Sequence, residues 1–226
     1  MSKLTTKCVF CGSTGVTKSH IWPDWLSKIL PRVGTHSLQV AGEVHTFEPK
    51  TKRSSIKRKM RQGHTGVQKH RNTCGDCNGG WMSQIEQRAI VSATSLIQGR
   101  PCVLDSKAQK ALAALFCLIT IRAEFSELST LVVPTSDRTW LKDHLEAPAL
   151  WQIWINRYTG SEPESHWCRH YGLRLQSSPD DQIGSSECNT QTTTLVLGQL
   201  CVHAFSSTFF YRIQRLSRTN VQNLAA

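Results

Sequence analysis

The middle of the chain has the spacing of apolar residues that predicts α-helices. Apolar positions recur at helical intervals over residues 76–98, and a Gly-Arg-Pro sequence at 99–101 then ends the pattern. A second helix is predicted from Ser106, as its N-cap, to about residue 127. Its apolar stripe extends nearly all round, as expected for a buried central helix. A third, shorter helix is predicted over residues 137–145.

The last third of the chain has runs of β-branched and aromatic residues that predict strands. These runs cover residues 150–158, 170–176 and 192–205, with 209–216 as a weaker fourth. A polar stretch at 177–191 is predicted to be a loop. A long helix followed by several strands is typical of an α+β fold with an antiparallel sheet.

We therefore predict an α+β protein in two parts that meet at the break after the first helix. The first part is residues 1–100, and the second is residues 101–226. For the second part the sequence leaves open whether it contacts the substrate, a second copy of the chain or a partner protein.

Composition supports a folded protein, since hydrophobic residues make up 39% and charged residues 19%. No apolar run reaches the roughly 18 residues of a membrane-spanning helix. The opening sequence MSKLTTKCVF lacks the apolar core of a secretory signal. Nine cysteines without an export signal indicate metal ligands or buried thiols rather than disulfides. We therefore expect no membrane association and a cytoplasmic location.

The net charge of +11 is concentrated at one end of the chain. Residues 1–73 contain fourteen Lys and Arg against three acids, whereas residues 74–226 are balanced at thirteen of each. Residues 31–73 have little periodicity, and we interpret them as a loop with a short hairpin near 38–47. The basic segment at 49–73 has no acid and should attract nucleic acid. Its basic residues are Lys50, Lys52, Arg53, Lys57, Arg58, Lys59, Arg61, Lys69 and Arg71.

Two cysteine pairs give the strongest chemical signal. Cys8 and Cys11 form one CxxC pair, and Cys74 and Cys77 form the other, with 62 residues between them. Each CxxC turn can hold one edge of a tetrahedral zinc ion, so the two pairs predict a closed four-sulfur structural site. Metal binding would offset the entropy that is lost by closing so long a loop.

This zinc site would bring His20 and Asn78 together, although they lie 58 positions apart in the sequence. His20 falls between the first zinc turn and the segment Trp-Pro-Asp-Trp, and Asn78 directly follows Cys77. A fixed imidazole beside an amide oxygen, close to a polybasic loop, provides the parts for metal-assisted phosphodiester hydrolysis. The imidazole would take a proton from water, and a divalent ion would stabilise the charge on the phosphate.

At these residues the sequence resembles a known family. The segments CVFCG, TKSHIWPDWL and CGDCNGGWMSQIE are similar to the zinc-knuckle branch of the HNH endonucleases, whose pattern is CxxC, [ES]HxxPxWL and CxxCNxGWMxxLE. The resemblance covers about the first ninety residues. It implies a ββα-metal fold in which a hairpin and a helix hold a catalytic Mg²⁺ or Mn²⁺ ion. It also implies His20 as the general base and Asn78 as a ligand of that ion. Our first hypothesis is that the substrate is DNA, while the sequence itself leaves open DNA or RNA and one strand or two.

Other positions of the family pattern are less well defined in this chain. Ser19 stands where many members have an acid that also binds the ion. His70, Asn72 and His64 compete for the middle position, and we favour His70 as a ligand of the metal or of a phosphate. Glu86, at the Leu-Glu position, is expected to orient His20 or an arginine unless it is an ordinary surface carboxylate.

The other ligand-type and aromatic residues are interpreted as structural. Histidines alternate with Cys168 over 166–170 and could bind a metal, but a half-buried strand is favoured. Four tryptophans are assigned to the core rather than to a surface for stacking bases: Trp140, Trp151, Trp154 and Trp167.

Two other hypotheses compete with a nuclease. The replacement of an acid by Ser19 favours a zinc-stabilised module that binds nucleic acid or acts as an adaptor, with a weakened nuclease centre. The second part of the chain is alternatively an interaction domain for a larger defence or phage complex.

Overall fold

The computed structural model describes residues 7–30, 68–126, 128, 131–160, 166–175 and 188–209. Within them the chain forms a two-stranded sheet, four helices and a four-stranded sheet, all sheet pairings being antiparallel. The predicted α+β class is therefore confirmed. The strands are β1 Val16–His20, β2 Lys69–Cys74, β3 Gln152–Arg157, β4 His166–Leu173, β5 Thr190–Leu197 and β6 Leu200–Ser207. The helices are α1 Gly75–Gly79, α2 Trp81–Ile97, α3 Ser106–Glu124 and α4 Thr135–His144.

The first sheet joins two segments that are far apart in the sequence. β1 pairs with β2 so that Val16 lies opposite Cys74 and His20 lies opposite Lys69. A 3₁₀ turn at Asp24–Lys28 follows β1, and α1 begins directly after β2. The start of β1 and the start of α1 are therefore held next to each other, whereas His20 lies at the opposite end of this sheet.

A glycine separates α1 from α2. Gly80 has a φ of −91° and a ψ of −107°, and a Cβ atom there would lie 2.5 Å from the carbonyl oxygen of Asp76. Only glycine can make this approach without displacing the backbone. The structure thus divides the predicted helix over 76–98 in two, and the bend follows directly after the second cysteine pair.

Helices α2 and α3 pack against each other and form the centre of the molecule. The face of α2 in contact consists of Met82, Ile85, Ala89, Ala93 and Ile97, and all five residues are buried. From Ala114 to Glu124 every residue of α3 is buried, so the predicted central helix is present.

The predicted N-cap of α3 is off by one position. The cap is Asp105, whose side chain accepts a hydrogen bond from the backbone N–H of Ala108, and Ser106 is the first residue of the helix. Asp and Ser are both favoured caps, so composition alone does not distinguish two such residues in a row.

The four-stranded sheet has the order β3-β6-β5-β4. One of its faces is directed at α3 and carries buried residues such as Leu195, Val202 and Ala204. The run at 192–205, predicted as a single strand, is a hairpin of β5 and β6 joined at Gly198 and Gln199. Gly198 has a φ of +56°, which a two-residue turn favours and which other residues rarely adopt.

The β5–β6 turn also contacts the end of α2. The backbone N–H of Gln199 donates to the carbonyl of Ile97 at 2.9 Å, and the carbonyl of Gln199 accepts from the N–H of Tyr158 at 2.7 Å. One cluster of buried apolar residues includes side chains from both sides of the predicted boundary at residue 100. The division into 1–100 and 101–226 stays a prediction.

Some predicted features lie outside the described residues. They are the hairpin near 38–47, most of the basic segment, and all of the weak strand at 209–216 except its first residue. Among the described residues, none of the helices is both long and apolar enough to cross a membrane.

Glu124, at the end of α3, is a carboxyl group that is fully buried. Its Oε1 accepts hydrogen bonds from the backbone N–H groups of Val132 and Val133, whereas its Oε2 has no hydrogen-bond partner among the described residues. Burial raises the pKa of Glu124 to about 7, although the two N–H groups and the charge of Arg138 lower it.

This carboxyl group should make the stability of the protein fall as pH rises. The unfolded chain loses the proton of Glu124 near pH 4.5, whereas the folded protein keeps it up to about pH 7. Between pH 5.5 and 8 the free energy of unfolding should therefore drop by about 2 kcal/mol through this group. Urea unfolding at both pH values should show a clearly smaller drop for Glu124→Gln. Equal drops in the two proteins would exclude Glu124 as the cause.

Candidate metal centre and the histidine beside it

The four predicted cysteine ligands come together at one point. The Sγ atoms of Cys8, Cys11, Cys74 and Cys77 all lie within 4.8 Å of one another, and the Sγ atoms of Cys11 and Cys74 are 3.6 Å apart. Zinc–sulfur bonds of about 2.3 Å in a tetrahedron place the sulfur atoms about 3.8 Å apart, whereas a disulfide would need about 2.05 Å. The four free thiols therefore fit a metal ion, and the predicted structural zinc is compatible with them.

Backbone hydrogen bonds shape the first cysteine turn. The N–H of Gly12 donates to the carbonyl of Cys8 at 2.8 Å, and the N–H of Cys8 donates to the carbonyl of Ser13 at 2.8 Å. Gly12 has a φ of +75°, so the residue after Cys11 takes a conformation that glycine adopts at low cost. The N–H of Val9 donates to the carbonyl of Asn72 at 2.9 Å and ties this turn to β2.

The surroundings of the thiols differ between the two pairs. Hydrogen bonds from Ser13 lower the pKa of Cys11 to about 6, which favours its thiolate form. Burial raises the pKa of Cys74 and Cys77, and the nearby indole of Trp81 partly opposes this for Cys77. A metal ion would supply the positive charge that the buried thiolates need.

His20 ends β1 and is held by a carboxylate that our sequence analysis did not single out. Its Nδ1 lies 2.6 Å from Oδ1 of Asp24, four residues later in the 3₁₀ turn. The His20 side chain is 25% exposed and that of Asp24 is 81% exposed. A carboxylate on Nδ1 favours the tautomer with its proton on that nitrogen. The spacing of four residues was the available signal.

Asn78, in α1, is held by an arginine of the second part of the chain. Its Oδ1 accepts a hydrogen bond of 2.9 Å from Nη2 of Arg122. Nη1 of the same guanidinium lies 3.4 Å from Oε1 of Glu86. Glu86 therefore contacts an arginine, one of the two partners expected for it. Sequence reasoning missed Arg122, although a charged residue within the long apolar part of a helix needs a partner.

The charge of Asp24, the partner of His20, acts on Glu86 and Arg122, the pair next to Asn78. Burial raises the pKa of Glu86, and Arg122 lowers it again, while the negative charge of Asp24 adds to the rise. Burial lowers the pKa of Arg122, against the carboxylates of Glu86 and Asp24. The field of Asp24, which holds His20, thus reaches the pair that holds Asn78.

The candidates for the middle position are placed differently. His70 lies opposite Ser19 in the β1–β2 register, and its Nε2 is 3.1 Å from Oγ of Ser126, one helical turn beyond Arg122. Asn72 is buried, and its Oδ1 accepts a hydrogen bond from Thr73. His64 lies outside the described residues. The role of His70 as a ligand of the metal or of a phosphate stays a prediction.

Of the nine predicted basic contacts, two lie within the described residues. Lys69 and Arg71 are exposed on β2, and Lys18 of β1 lies directly opposite Arg71. The other seven lie outside the described residues: Lys50, Lys52, Arg53, Lys57, Arg58, Lys59 and Arg61.

Two of the tryptophans assigned to the core are on the surface. Trp154 is 51% exposed and Trp140 is 44% exposed, whereas Trp151 is buried and Trp167 is half-buried. Trp154 lies on an edge strand, and the alternation of its strand directs it away from α3.

Asp76, between the two cysteines of the second pair, lies within α1 and is not its N-cap. The N-cap of α1 is Cys74, with no side-chain hydrogen bond. Within the described part of the chain, the four cysteines are the one cluster of His, Cys, Asp and Glu with the geometry of a metal site.

Comparison with protein-family models, curated proteins and solved structures found no match to this chain. The resemblance to HNH endonucleases therefore depends on the motif in the sequence.

Proposed function

We propose that this protein is a metal-dependent HNH-type endonuclease that hydrolyses phosphodiester bonds of DNA. The observation that carries the proposal is the contact between His20 and Asp24, in a chain that also brings four cysteines together. β1 and β2 form an antiparallel pair that is followed by α1, with His20 at the end of β1 and Asn78 within α1. This order of elements is the one that the ββα-metal fold requires.

In the proposed reaction His20 is the general base. Its Nε2 takes a proton from a water molecule while the water oxygen bonds to phosphorus. The bond from phosphorus to the leaving oxygen breaks, and that oxygen takes a proton from solvent. The products are a phosphomonoester end and a free hydroxyl end. Asp24 stabilises the imidazolium that forms, because its carboxylate accepts the hydrogen bond from Nδ1.

The catalytic divalent ion fits the described residues only in part. It would neutralise charge on the phosphate and on the leaving oxygen. However, Oδ1 of Asn78 is already bonded to Arg122, and Ser19 is buried with no carboxylate to offer. Mg²⁺ commonly keeps several waters and binds through one or two carboxylates and the substrate phosphates. Our proposal therefore assigns most ligands of this ion to substrate and water.

The basic residues support a polyanionic substrate. Lys18 and Arg71 are exposed and directly opposite each other in the hairpin, where like charges disfavour pairing. Exposed cations of this kind bind the phosphate backbone of nucleic acids. Such contacts position DNA without reading its sequence, so we propose cutting with little base preference.

The test is the nicking of supercoiled plasmid by wild type and by His20→Ala, with Mg²⁺, with Mn²⁺ and without added divalent ion. Loss of a general base should reduce the rate by about 10²- to 10⁴-fold. His144→Ala is the matched control, because His144 is an exposed histidine that stacks on Trp140 in α4. It should cut as wild type does. All three proteins should first be shown to bind zinc equally and to melt alike.

A second candidate function, binding of nucleic acid or an adaptor role without cleavage, is favoured by two observations. Ser19 is buried, and Asn78 accepts a hydrogen bond from Arg122. Both reduce the ligands available to a catalytic ion, so the first part of the chain would be a zinc-stabilised binding or adaptor module, such as a subunit of a defence or phage complex. In that case neither wild type nor His20→Ala would nick the plasmid, and both would retard it equally on a gel. Cutting that His20→Ala leaves intact would exclude His20 as the base.

A further inference from the structure

The face of the four-stranded sheet that points away from α3 carries aromatic side chains at the surface. Trp154 of β3 is 51% exposed and Tyr171 of β4 is 46% exposed. The register aligns Trp154, His203, Thr194 and Arg169 in one row across all four strands. Tyr171 lies in the next row, so both edge strands contribute an aromatic ring to the same face.

The rings of His203 and Trp154 on this face are held in place by their neighbours. The two ring nitrogens of His203 lie 3.2 Å and 3.0 Å from the hydroxyl oxygens of Thr192 and Thr194. The ring of Trp154 has its centroid 5.7 Å from that of His203, at an interplanar angle of 36°. Planar groups that are already ordered lose little conformational entropy when a ligand binds.

The charge on the sheet is of one sign. None of the four strands contains aspartate or glutamate, whereas β3 ends in Arg157 and β4 contains Arg169. The guanidinium of Arg169 lies over the ring of Trp167, 5.5 Å from its centroid. The register places Arg169 on the aromatic face, whereas Arg157 alternates to the opposite face. An aromatic face whose strands contribute Arg169 and no acid is complementary to a ligand that has both flat rings and negative charges.

We propose that single-stranded nucleic acid binds across this face, with bases stacked on Trp154 and Tyr171 and phosphates close to Arg169. Stacking on exposed aromatics needs bases that are not paired within a duplex. The inference goes beyond the proposed cleavage and does not depend on it, because these residues belong to β3–β6 rather than to the site around His20.

Fluorescence anisotropy with labelled oligo-dT and oligo-U of about 15 nucleotides, a length within the site sizes of single-strand binding domains, provides the test. The dissociation constant should rise at least about 5-fold in Trp154→Ala and in Tyr171→Ala, since stacking of one base contributes about 1–3 kcal/mol. Trp154→Phe should retain most of the affinity. The matched control is Trp140→Ala, an exposed tryptophan of α4, which should change the constant less than about 2-fold. Tighter binding of one oligonucleotide would identify DNA or RNA as the ligand.

Three results would overturn the inference. The sheet variants could bind both oligonucleotides as tightly as wild type, or they could weaken duplex binding as much as single-strand binding. Light scattering could instead show a wild-type dimer that Trp154→Ala dissociates without a change in affinity, which would make the face an interface between two copies.

The proposed cleavage can fail separately from this inference. His20→Ala should bind the oligonucleotides as wild type does, and this binding needs no added divalent ion. If the sheet variants bind weakly and no protein nicks plasmid, only the nuclease proposal is wrong.

Discussion

Replacement of Cys77 by serine should remove the metal from the four-cysteine site and unfold the elements around it. Cys77 is buried, and its sulfur lies within 4.8 Å of the three others. Serine cannot replace a thiolate as a zinc ligand at neutral pH. Structural zinc sites contribute about 10–16 kcal/mol of apparent binding free energy in zinc-finger peptides, and that energy stabilises the fold. The segment at 7–30, with β2 and α1, should therefore lose its structure.

Elemental analysis and limited proteolysis would measure this effect. Zinc should fall from about one equivalent per chain to near zero, as expected when a four-ligand site loses one ligand. Cleavage should appear first between residues 7 and 30. Cys102→Ser is the matched control, because Cys102 lies outside the cluster and its thiol donates to the carbonyl of Val103. Full zinc content in Cys77→Ser would contradict the assignment of this site.

Replacement of Arg122 by methionine should destabilise the protein by about 3–5 kcal/mol, the cost of removing one partner of a buried ion pair. The side chain of Arg122 is 5% exposed and that of Glu86 is 21% exposed, so water cannot fully solvate the carboxylate that remains. Asn78 would also lose its hydrogen-bond donor. Methionine keeps the length and the apolar contacts of the arginine stem, so the loss reports mainly on the polar contacts.

A double-mutant cycle in urea unfolding separates the pair from general packing damage. Glu86→Gln should cost less than Arg122→Met, because the amide can still accept from the guanidinium. The variant with both changes should be more stable than Arg122→Met alone. If the two losses simply add, the contact between Arg122 and Glu86 contributes nothing to stability.

Spacing in the sequence was enough to predict the metal cluster. A CxxC pair fixes the separation of its two sulfurs locally, so two pairs predict a tetrahedral site without knowledge of the intervening chain. The central helix α3 was predictable for a similar reason, since its apolar residues leave no polar face.

The partners of the site residues were not predictable in the same way. Arg122 reaches Asn78 across 44 positions, and this contact exists only because α3 packs against α2. The place of Trp154 depends on which face of its strand covers α3, and alternation along a short strand cannot decide this. The β5–β6 hairpin was missed because its turn has one glycine within a continuous apolar run.

Helix α2 sets the distance between the two regions for which we propose functions. It starts at the bend after Cys77 and ends where the N–H of Gln199 bonds to the carbonyl of Ile97. Its 17 residues span about 25 Å at 1.5 Å per residue. One residue inserted into α2 would rotate its far end by about 100°. The hydrogen bond between Gln199 of the β5–β6 turn and Ile97 at the end of the helix would then be lost. The distance between the metal centre and the sheet is therefore fixed by the length of one helix rather than by a loop.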